Sequence, residues 1–496
     1  MEFKDYFFRV GLENYPFDVY TAENEIKYLD NLYVHLENYD SIKEAYNAKR
    51  SIIIRGNRGI GKTALLYDLK RDSGKNEIIC TIDDFSRLSL TPSTNEYYEL
   101  IIRNIARDLF NELICEEKKL KKLKKDDRLF LSMLLCHYTS STTKRELEEK
   151  IENIQLSKIK KTIKKYINCI RFIANYGLST GTNLINDTLR NYYTFLPPVD
   201  EREIKNILPQ IDLGVDSDFL EGDTQYEVLS RLCEIISKLE YGRITVFLDK
   251  FDEDQRMKNN AATIAEFVNS LLTDNKILEN PNLQLIISIW EIPFRKIMSE
   301  VRTQKHFCPI LSWNKRLLEI ALNKRLQVFS NGKIQQYEDI FESPCENNNI
   351  EQIFVLSNNN PRDLWHIMNS ILHSQYEIDS TVMKISNKAI VEGLKKFVSE
   401  FNFYEYYPKN PKAKANSMDI YSYIKHLLKV DAIEFTKNQL NVMANTGSST
   451  NNYVVGMENI GLIANTGEKN NGGVLYRICD PKVVYAIKNS IDIMRP

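Results

Sequence analysis

Hydrophobic and polar positions along the chain follow two different periods. Short runs of β-branched and aliphatic residues, such as SIIIR at 51–55 and ITVFL at 244–248, are typical of strands buried on both faces of a parallel sheet. Between these runs, apolar residues recur every three or four positions, which indicates amphipathic helices. We predict strands at 51–55, 77–82, 244–248 and 283–289, and helices at 22–48, 63–72, 95–115, 224–239 and 261–272. This alternation predicts an α/β fold with a parallel sheet.

The order of these elements divides the chain into six segments. A Lys-rich, mainly helical stretch interrupts the strand–helix pattern, and a later stretch with two prolines and several lysines is typical of a linker. We predict an N-terminal helix with the first part of the sheet core at 1–115, a helical insertion at 116–222, the second part of the core at 223–313, a helical lid at 314–400, the linker at 401–417 and a last domain at 418–496.

The last domain has the element order of a winged helix. Helices are predicted at 418–430, 436–445 and 451–463, and a turn rich in Gly and Asn precedes a strand at 474–478. A winged helix that binds DNA would read it with its third helix and its wing. Between residues 430 and 487, however, four basic residues stand against five acidic ones, which is unfavourable for neutralising phosphates. Protein contact or autoinhibition therefore competes with DNA binding as an interpretation of this domain.

Composition narrows the class of protein. Lys and Arg number 66 against 67 Asp and Glu, and the net charge of −1 excludes a globally basic protein that coats nucleic acid. The content of 43% hydrophobic and 27% charged residues is typical of a folded globular protein. No secretory signal is apparent, and no apolar run approaches the roughly 20 residues that span a bilayer. The eight cysteines are scattered, so we expect reduced thiols in a cytoplasmic protein without a membrane partner.

Glycine is scarce, with only 18 residues in the chain, so its positions are informative. Three glycines lie in a run that matches G-x-x-x-x-G-K-[ST] between a predicted strand and a predicted helix: Gly56, Asn57, Arg58, Gly59, Ile60, Gly61, Lys62 and Thr63. Backbone N–H groups of such a loop, up to Ala64, surround phosphates at the start of the helix. Lys62 would reach the β- and γ-phosphates of ATP, and the Thr63 hydroxyl would coordinate Mg²⁺. The alternative is a glycine-rich turn with a surface lysine.

An acidic motif follows the strand at 244–248. Its carboxylates stand where the strand ends, and ligands bind at this edge of an open parallel sheet. We predict that Asp249 holds Mg²⁺ and that Glu253 orients or deprotonates the attacking water, with Asp252 as its rival. The alternative is a set of acids that caps the next helix.

Two further polar residues are candidates for contact with phosphates. Ser288 lies near the end of the strand at 283–289, and Arg362 follows the turn sequence NNNP, which predicts the start of a helix. A hydrogen bond to the backbone is the alternative role for Ser288, and a surface salt bridge is the alternative for Arg362.

With these motifs in this order, the chain resembles P-loop ATPases that lie between AAA+ proteins of the origin-recognition type and STAND/KAP-type NTPases. The resemblance covers about residues 12–400 without the insertion. It rests on NYPFDVYTAENE before the core, IIIRGNRGIGKTALLYDLK, VFLDKFDE, LIISIWEIPF and NNNPRDLWHIMNSI. It implies a bacterial ATPase whose slow, regulated hydrolysis acts as a switch in replication, mobile-element biology or phage defence. It also implies that Asp249, Glu253 and Arg362 are the Mg²⁺ ligand, the catalytic acid and an arginine of the lid.

One position departs from that pattern. Similar proteins often carry an arginine at the tip of the strand after the acidic one, where this chain has Trp290. Either Arg295 replaces that arginine, or the corresponding mechanism is absent. A second hypothesis follows, in which the protein is a nucleotide-gated module for DNA binding or assembly with negligible hydrolysis.

Two lysine-rich segments complete the set of candidate sites. KKLKKLKK at 118–125 and SKIKKTIKK at 157–165 each place a pair of apolar residues at helical spacing beneath a basic face. Such a face can bind the phosphate backbone of DNA without sequence preference, although a solvated helical face is the alternative. Self-association and a separately encoded effector protein are partners that the resemblance implies.

Overall fold

The computed structural model describes residues 2–74, 76–138, 222–343, 347–409, 418–470 and 472–495. Most of the predicted insertion, including the lysine segment at 157–165, lies outside these described residues. In the part of the chain that the structure describes, no helix is both long and apolar enough to cross a membrane.

Four parallel strands form a central sheet. The strands are β1 Ile52–Gly56, β2 Glu77–Ile82, β3 Arg243–Leu248 and β4 Gln284–Trp290, and their order across the sheet is β1-β4-β3-β2. Strand β4 lies between β1 and β3, with Ser288 opposite Ile54 and Ile286 opposite Phe247. The segment around 307–311 runs along the outer edge of β1 and exchanges backbone hydrogen bonds with Ile53 and Arg55. The α/β fold with a parallel sheet is thus confirmed.

Helices cover both faces of this sheet, which explains why its strands are apolar on both sides. In β1, Ile53 packs into one core, whereas Ile52 and Ile54 pack into the core on the other face. The α-helices up to the end of this region are α1 Phe3–Val10, α2 Leu29–Leu32, α3 Tyr39–Asn47, α4 Lys62–Arg71, α5 Thr94–Cys115, α6 Lys125–Tyr138, α7 Gly222–Lys238, α8 Ala261–Leu272, α9 Asn275–Leu278 and α10 Glu291–Ile297.

The single helix predicted at 22–48 is wrong. A 3-10 helix at Ala22–Tyr28 and the short α2 are followed by an extended segment before α3 begins. In that segment Val34 and Leu36 are buried while His35 between them is exposed, which is the alternation of an extended chain rather than of a helix. The Tyr33 carbonyl accepts a hydrogen bond from Lys324 at 2.8 Å instead of an intrahelical one.

The remaining described chain forms four helices, then a mixed region with a small sheet. The helices are α11 Lys315–Phe329, α12 Asn347–Ser357, α13 Pro361–Ile378 and α14 Asn387–Glu400. The mixed region contains α15 Ile420–Val430, β5 Glu434–Thr436, α16 Lys437–Ala444, α17 Thr450–Asn459, β6 Ile463–Asn470, β7 Gly473–Ile478 and α18 Pro481–Lys488. Its three strands are antiparallel in the order β5-β7-β6.

The predicted helix at 451–463 is too long, because α17 ends at Asn459 and the chain turns at Gly461 with φ of 75° before β6 begins. Strand β5 was not predicted, since three residues carry too little pattern. Helices α11 to α14 and the C-terminal region share one hydrophobic core, which also includes residues of α1. The C-terminal region is therefore packed against the helices that precede it.

Candidate functional site

The glycine loop, residues 56–63, connects β1 directly to α4. Gly59 and Gly61 have φ values of 79° and 86°, in the left-handed region that favours glycine. Helix α4 begins at Lys62, so the N–H groups of its first turn lack partners within the helix. Unpaired N–H groups and the positive end of the helix dipole make this loop suited to an anion.

The Lys62 side chain bends back over the glycine loop. Its Nζ donates to the carbonyl oxygens of Gly56 at 3.1 Å and Asn57 at 2.9 Å. Burial lowers the pKa of the Lys62 ammonium, while Asp252 and Asp249 oppose this shift. An anion in the loop would also favour the charged ammonium, so the lysine and the loop suit the same ligand.

Thr63 and Asp249 meet although they are far apart in the sequence. The Thr63 hydroxyl donates to Oδ2 of Asp249 at 2.7 Å. Asp249 follows the last residue of β3, is 5% exposed, and donates its backbone N–H to the Ile82 carbonyl of β2 at 3.1 Å. The contact brings a hydroxyl and a carboxylate together beside the glycine loop.

The chain turns sharply after Asp249. Lys250 has φ of 66° and pairs with Glu23 at 2.6 Å, and a 3-10 helix at Phe251–Glu253 follows. Phe251 is buried and stacks on Phe85 with ring centroids 4.2 Å apart, which anchors the turn in the core. Asp252 and Glu253 consequently both line the cavity described below.

Arg58 of the glycine loop holds Asp252. Its guanidinium donates to Oδ2 and, at 3.1 Å, to the carbonyl oxygen of Asp252, and it lies 4.2 Å from the ring centroid of Trp290. Burial alone would raise the pKa of Asp252, but Arg58 and Lys62 hold it below its ordinary value. Asp252 is therefore a charged, paired carboxylate, which makes it a poor proton acceptor.

Glu253 has a different electrostatic environment. Burial raises the pKa of its carboxyl group, and the negative charges of Asp252 and Asp249 act in the same direction against Lys250. A carboxylate with a raised pKa accepts a proton more readily than an ordinary one. Of the two rival acids, Glu253 is thus better suited to act as a base.

Trp290 stands where the resemblance led us to look for an arginine. Its buried indole supports the guanidinium of Arg58, while Arg295 donates to Glu291 at 2.8 Å and is 69% exposed. Arg295 does not line the cavity, whereas Arg58 does. The sequence pattern identified Arg58 only as a residue of the loop, because its stacking on Trp290 depends on the pairing of β1 with β4.

The start of α13 closes on the glycine loop. The Asn360 side chain caps this helix and donates to the Arg58 carbonyl at 2.7 Å. A Cβ atom on Gly59 would lie 2.7 Å from Asn360 Oδ1 and 3.0 Å from Arg362 Cβ. Arg362 also lies 3.8 Å from Glu405 in a partly exposed ion pair. Glycine at 59 is thus required by this close approach as well as by its φ value.

These residues line one cavity of about 820 Å³ at the carboxyl edge of the strands. Its volume is within the range of small-molecule sites. The predicted site residues that line it are Arg58, Gly59, Gly61, Lys62, Thr63, Ala64, Asp249, Asp252, Glu253 and Arg362. Residues that the sequence did not indicate include Tyr20, Thr21, Glu23, Asn259, Tyr404, Glu405 and Lys409.

Four predicted residues do not line this cavity. Gly56 and Asn57 contribute their carbonyl oxygens to Lys62, and Ile60 lines a smaller pocket on the other side of the loop. Ser288 is 2% exposed on β4, and its Oγ has no hydrogen-bond partner among the described residues. The structure thus does not bring Ser288 into the cavity.

The smaller pocket has a volume of about 120 Å³ and is mainly apolar. It shares Gly59, Gly61 and Ala64 with the large cavity, and Trp313 and Trp365 contribute to its wall. The Trp313 indole N–H donates to the Ile60 carbonyl at 2.9 Å, which fixes this ring against the loop. A polar cavity and an apolar, aromatic pocket therefore meet at the same loop.

Part of the lysine segment at 118–125 packs against the rest of the fold. Leu120 and Leu123 are buried in the main core. Lys119 lies 2.6 Å from Glu116 and 3.9 Å from the ring centroid of Tyr241. These contacts reduce the basic surface that the sequence pattern suggested for this segment.

A scan against models of known protein families finds no match to this chain, and a search of curated proteins finds no significant similarity. The fold and the site define a class: an α/β protein with a parallel sheet and a polar cavity at the carboxyl edge of its strands. In the described residues, no group of three or more His, Cys, Asp and Glu side chains forms a candidate metal cluster.

Proposed function

We propose that the protein is a Mg²⁺-dependent ATPase of the P-loop type whose nucleotide state acts as a switch. The observation that carries this proposal is the 2.7 Å hydrogen bond between Thr63 and Asp249 beside the glycine loop. A hydroxyl at the start of a helix and a carboxylate at the end of another strand of the same sheet form the paired ligand set of P-loop NTPases. The proposed family and activity rest on this pairing and on the sequence motif.

The phosphates would lie along the glycine loop. The backbone N–H groups of the loop would donate to them, and Lys62 would exchange its carbonyl acceptors for phosphate oxygens. Arg362, which lines the cavity from the start of α13, is the second cation for this role. The adenine base would occupy the apolar pocket, to whose wall Trp313 and Trp365 contribute.

Thr63 and Asp249 fit Mg²⁺ because both offer oxygen atoms, which are the ligands that this ion prefers. A bound Mg²⁺ would neutralise the charge of the phosphate groups. Glu253 would orient the attacking water and accept its proton, and the raised pKa of its carboxyl group suits this role. Asp252 would hold Arg58 and leave the water to Glu253.

The C-terminal region fits a winged-helix domain, with the hairpin of β6 and β7 as the wing. We propose two kinds of partner for this region. One is protein, either a second copy of the chain or a separately encoded effector, and the other is DNA. A role in phage defence or in mobile-element biology extends the proposal by resemblance to similar ATPases.

The test is nucleotide binding and phosphate release by the purified full chain. Lys62→Ala should abolish binding of a fluorescent ATP analogue, because it removes the cation of the loop. Lys70→Ala is the matched control, since Lys70 is exposed near the end of the same helix. Equal affinity of the Lys62→Ala variant and the wild type would overturn the proposal.

A second candidate function is a nucleotide-gated module for DNA binding or assembly with negligible hydrolysis. Trp290 at the end of β4 favours it, because a buried indole stands where similar ATPases often carry an arginine, and Arg295 does not line the cavity. Phosphate release measured with and without duplex DNA separates the two functions. Nucleotide binding without turnover under both conditions would favour the second.

A further inference from the structure

The side chain of Arg58 is held by three elements outside the glycine loop. Its Nε donates to Oδ2 of Asp252 in the turn after β3, and its Nη2 donates to the Asp252 carbonyl at 3.1 Å. Its Nη1 donates to the Tyr404 carbonyl at 3.5 Å. The guanidinium also lies 4.2 Å from the ring centroid of Trp290 at the end of β4. These contacts fix the position of the guanidinium.

The backbone of Arg58 is held as well. Its carbonyl accepts a hydrogen bond from the Asn360 side chain at 2.7 Å, at the start of α13. Main chain and side chain are thus both fixed by groups that are distant in the sequence. A side chain that is already ordered loses little conformational freedom when it contacts a ligand, so this contact costs little entropy.

Two donors of the Arg58 guanidinium remain available. A guanidinium carries five N–H groups. The hydrogen bonds of Arg58 within the described part of the chain use three of them, which leaves one N–H on Nη1 and one on Nη2. Arg58 lines the large cavity together with Lys62 and Glu253. Its remaining N–H groups therefore suit an anion in that cavity.

Arg58 also shares its surroundings with the proposed base. Arg58, Glu253 and Arg362 line a second cavity of about 610 Å³, which is bordered by α13 and the end of α14, as well as the large one. Glu253 is the residue that we propose to accept the proton of the attacking water. Arg58 therefore borders the same space as that water.

A positioned cation at this place has a specific chemical use. Phosphoryl transfer spreads negative charge over the oxygen atoms of the transferred group, and an arginine beside them stabilises this charge. A cation that is already oriented needs no reorganisation when the charge develops. The end of β4, where similar ATPases often carry an arginine, here has an indole that supports an arginine from the glycine loop.

We propose that Arg58 is a catalytic arginine that contacts the γ-phosphate of ATP bound to its own chain, so that hydrolysis needs no arginine from a second copy. In this step the bond between the γ-phosphorus and the oxygen of ADP breaks, a bond to the water oxygen forms, and Glu253 takes the proton of the water. Trp290 and Asp252 are positioning residues that act through Arg58. This inference rests on the proposed function, because it assumes that the cavity binds ATP.

The first experiment measures phosphate release and ADP binding by the full chain with Arg58→Ala. We expect kcat to fall by about 10²- to 10³-fold, the usual loss when one oriented donor to a transition state is removed. Affinity for ADP, which lacks the γ-phosphate, should be retained. Arg295→Ala is the matched control, because Arg295 is 69% exposed and does not line the cavity.

Two further variants separate catalysis from stability. The double variant Arg58→Ala/Asp252→Asn removes both charges of the pair, so a loss of turnover in it does not arise from an unpaired Asp252. Arg58→Lys should recover only part of kcat, because lysine keeps the charge without the planar set of donors.

The second experiment measures binding of ADP with and without aluminium fluoride, which mimics the transferred phosphoryl group. Aluminium fluoride should tighten ADP binding to the wild type and to Arg295→Ala. It should have no such effect on Arg58→Ala or on the double variant, because the arginine that contacts this group is absent. A merely structural role of Arg58 would instead weaken binding of ADP alone.

The third experiment tests whether the arginine acts within one chain. Lys62→Ala and Arg58→Ala are mixed in equal amounts, so that each variant carries the residue that the other lacks. We expect no recovery of phosphate release. Recovery would mean that Arg58 acts on nucleotide bound to a second copy, which would overturn the proposal.

The remaining outcomes are also decisive. If Arg58→Ala or the double variant releases phosphate at the wild-type rate, or if aluminium fluoride still tightens ADP binding to it, the inference is wrong while the proposed ATPase stands. A loss of turnover in Arg295→Ala alone would assign the role to Arg295. If the wild type releases no phosphate, the proposed ATPase itself fails, and the role of Arg58 fails with it.

Discussion

The glycine loop and the C-terminal region differ in how their residues are held. Around the loop, polar side chains contact groups from distant elements, as Arg58 does with Asp252 and Trp290. In the C-terminal region the buried side is equally well packed, but residues on its outer surface are apolar and exposed, with Val442 79% and Met443 51% exposed. The contacts around the glycine loop fix the positions of its polar side chains. The exposed apolar residues of the C-terminal region, in contrast, are accessible to a partner.

This difference teaches how a glycine can be interpreted. Gly59 and Gly461 both have positive φ values, of 79° and 75°. A Cβ at Gly59 would meet Asn360 and Arg362, whereas nothing lies within 4 Å of a Cβ at Gly461. The first glycine serves a close approach between two elements, and the second serves only the turn before β6.

The largest effect that we expect concerns Glu253, the proposed base in the cavity. Glu253→Gln should lower the rate of phosphate release by about 10²- to 10⁴-fold, the usual contribution of a general base, while nucleotide affinity is retained. Phosphate release and fluorescent ATP binding are measured on the same samples. Glu266→Gln, on the exposed face of α8, is the control. Unchanged turnover in Glu253→Gln would show that another group activates the water.

The second prediction compares the two glycines directly. Gly461→Ala should cost about 1–2 kcal/mol of unfolding free energy, because an L-residue is forced into the left-handed region. Gly59→Ala should cost more, since its Cβ also displaces Asn360, and it should weaken nucleotide binding. Urea unfolding and fluorescent ATP binding check both variants. Equal losses of stability at both positions would contradict the close approach of α13 to the loop.

Much of the fold could be predicted because its signals are local. The strand at 77–82 and the helix at 261–272 have the bounds that the sequence predicts, since a run rich in β-branched residues or an apolar helix face identifies them without knowledge of neighbours. The three glycines of the glycine loop likewise indicate a special backbone conformation from the local sequence alone. The prediction of one helix at 22–48 failed because two apolar residues in its middle, Val34 and Leu36, are buried by an extended segment.

The rest of the site depends on residues that are distant in sequence. The contact of Arg58 with Asp252 joins positions 194 residues apart, and no local sequence pattern predicts it. The stretch at 401–417 has the composition of a linker, yet Phe403 and Tyr407 are buried and Tyr404 lines the cavity. Residues 410–417 of that stretch lie outside the described residues. The position of residues 401–409 on the cavity wall therefore depends on tertiary contacts, which composition does not reveal.

The third prediction concerns two histidines. His366 lies in α13, the helix whose start contacts the glycine loop, and His426 lies in the C-terminal region. Burial, with a smaller contribution from Arg362, lowers the pKa of His366 to about 4, and burial also lowers the pKa of His426 in α15. A histidine whose pKa is lower in the folded state stabilises the fold above its unfolded pKa near 6.5, and this contribution is lost as the pH falls towards the folded value. Both groups therefore make the protein less stable in acid.

We expect the His366→Phe variant to lose less stability than the wild type between pH 6.5 and pH 4, because the group that takes up a proton on unfolding is gone. The aromatic ring retains the stacking on Tyr20, whose ring centroid lies 3.7 Å from that of His366. His426→Phe should show the same change with a smaller size. Urea unfolding at a series of pH values measures both, and an unchanged pH dependence in His366→Phe would contradict the burial of its imidazole.

The smallest effect should come from the outer surface of α16. Val442→Thr should change the free energy of unfolding by no more than about 0.5 kcal/mol, because a side chain in water loses no packing. Leu440→Ala, two residues earlier on the same helix and fully buried, should cost about 2–5 kcal/mol. Urea unfolding compares the two, and sedimentation velocity records association. A loss of stability in Val442→Thr that grows with protein concentration would mean that a second copy covers this surface in solution.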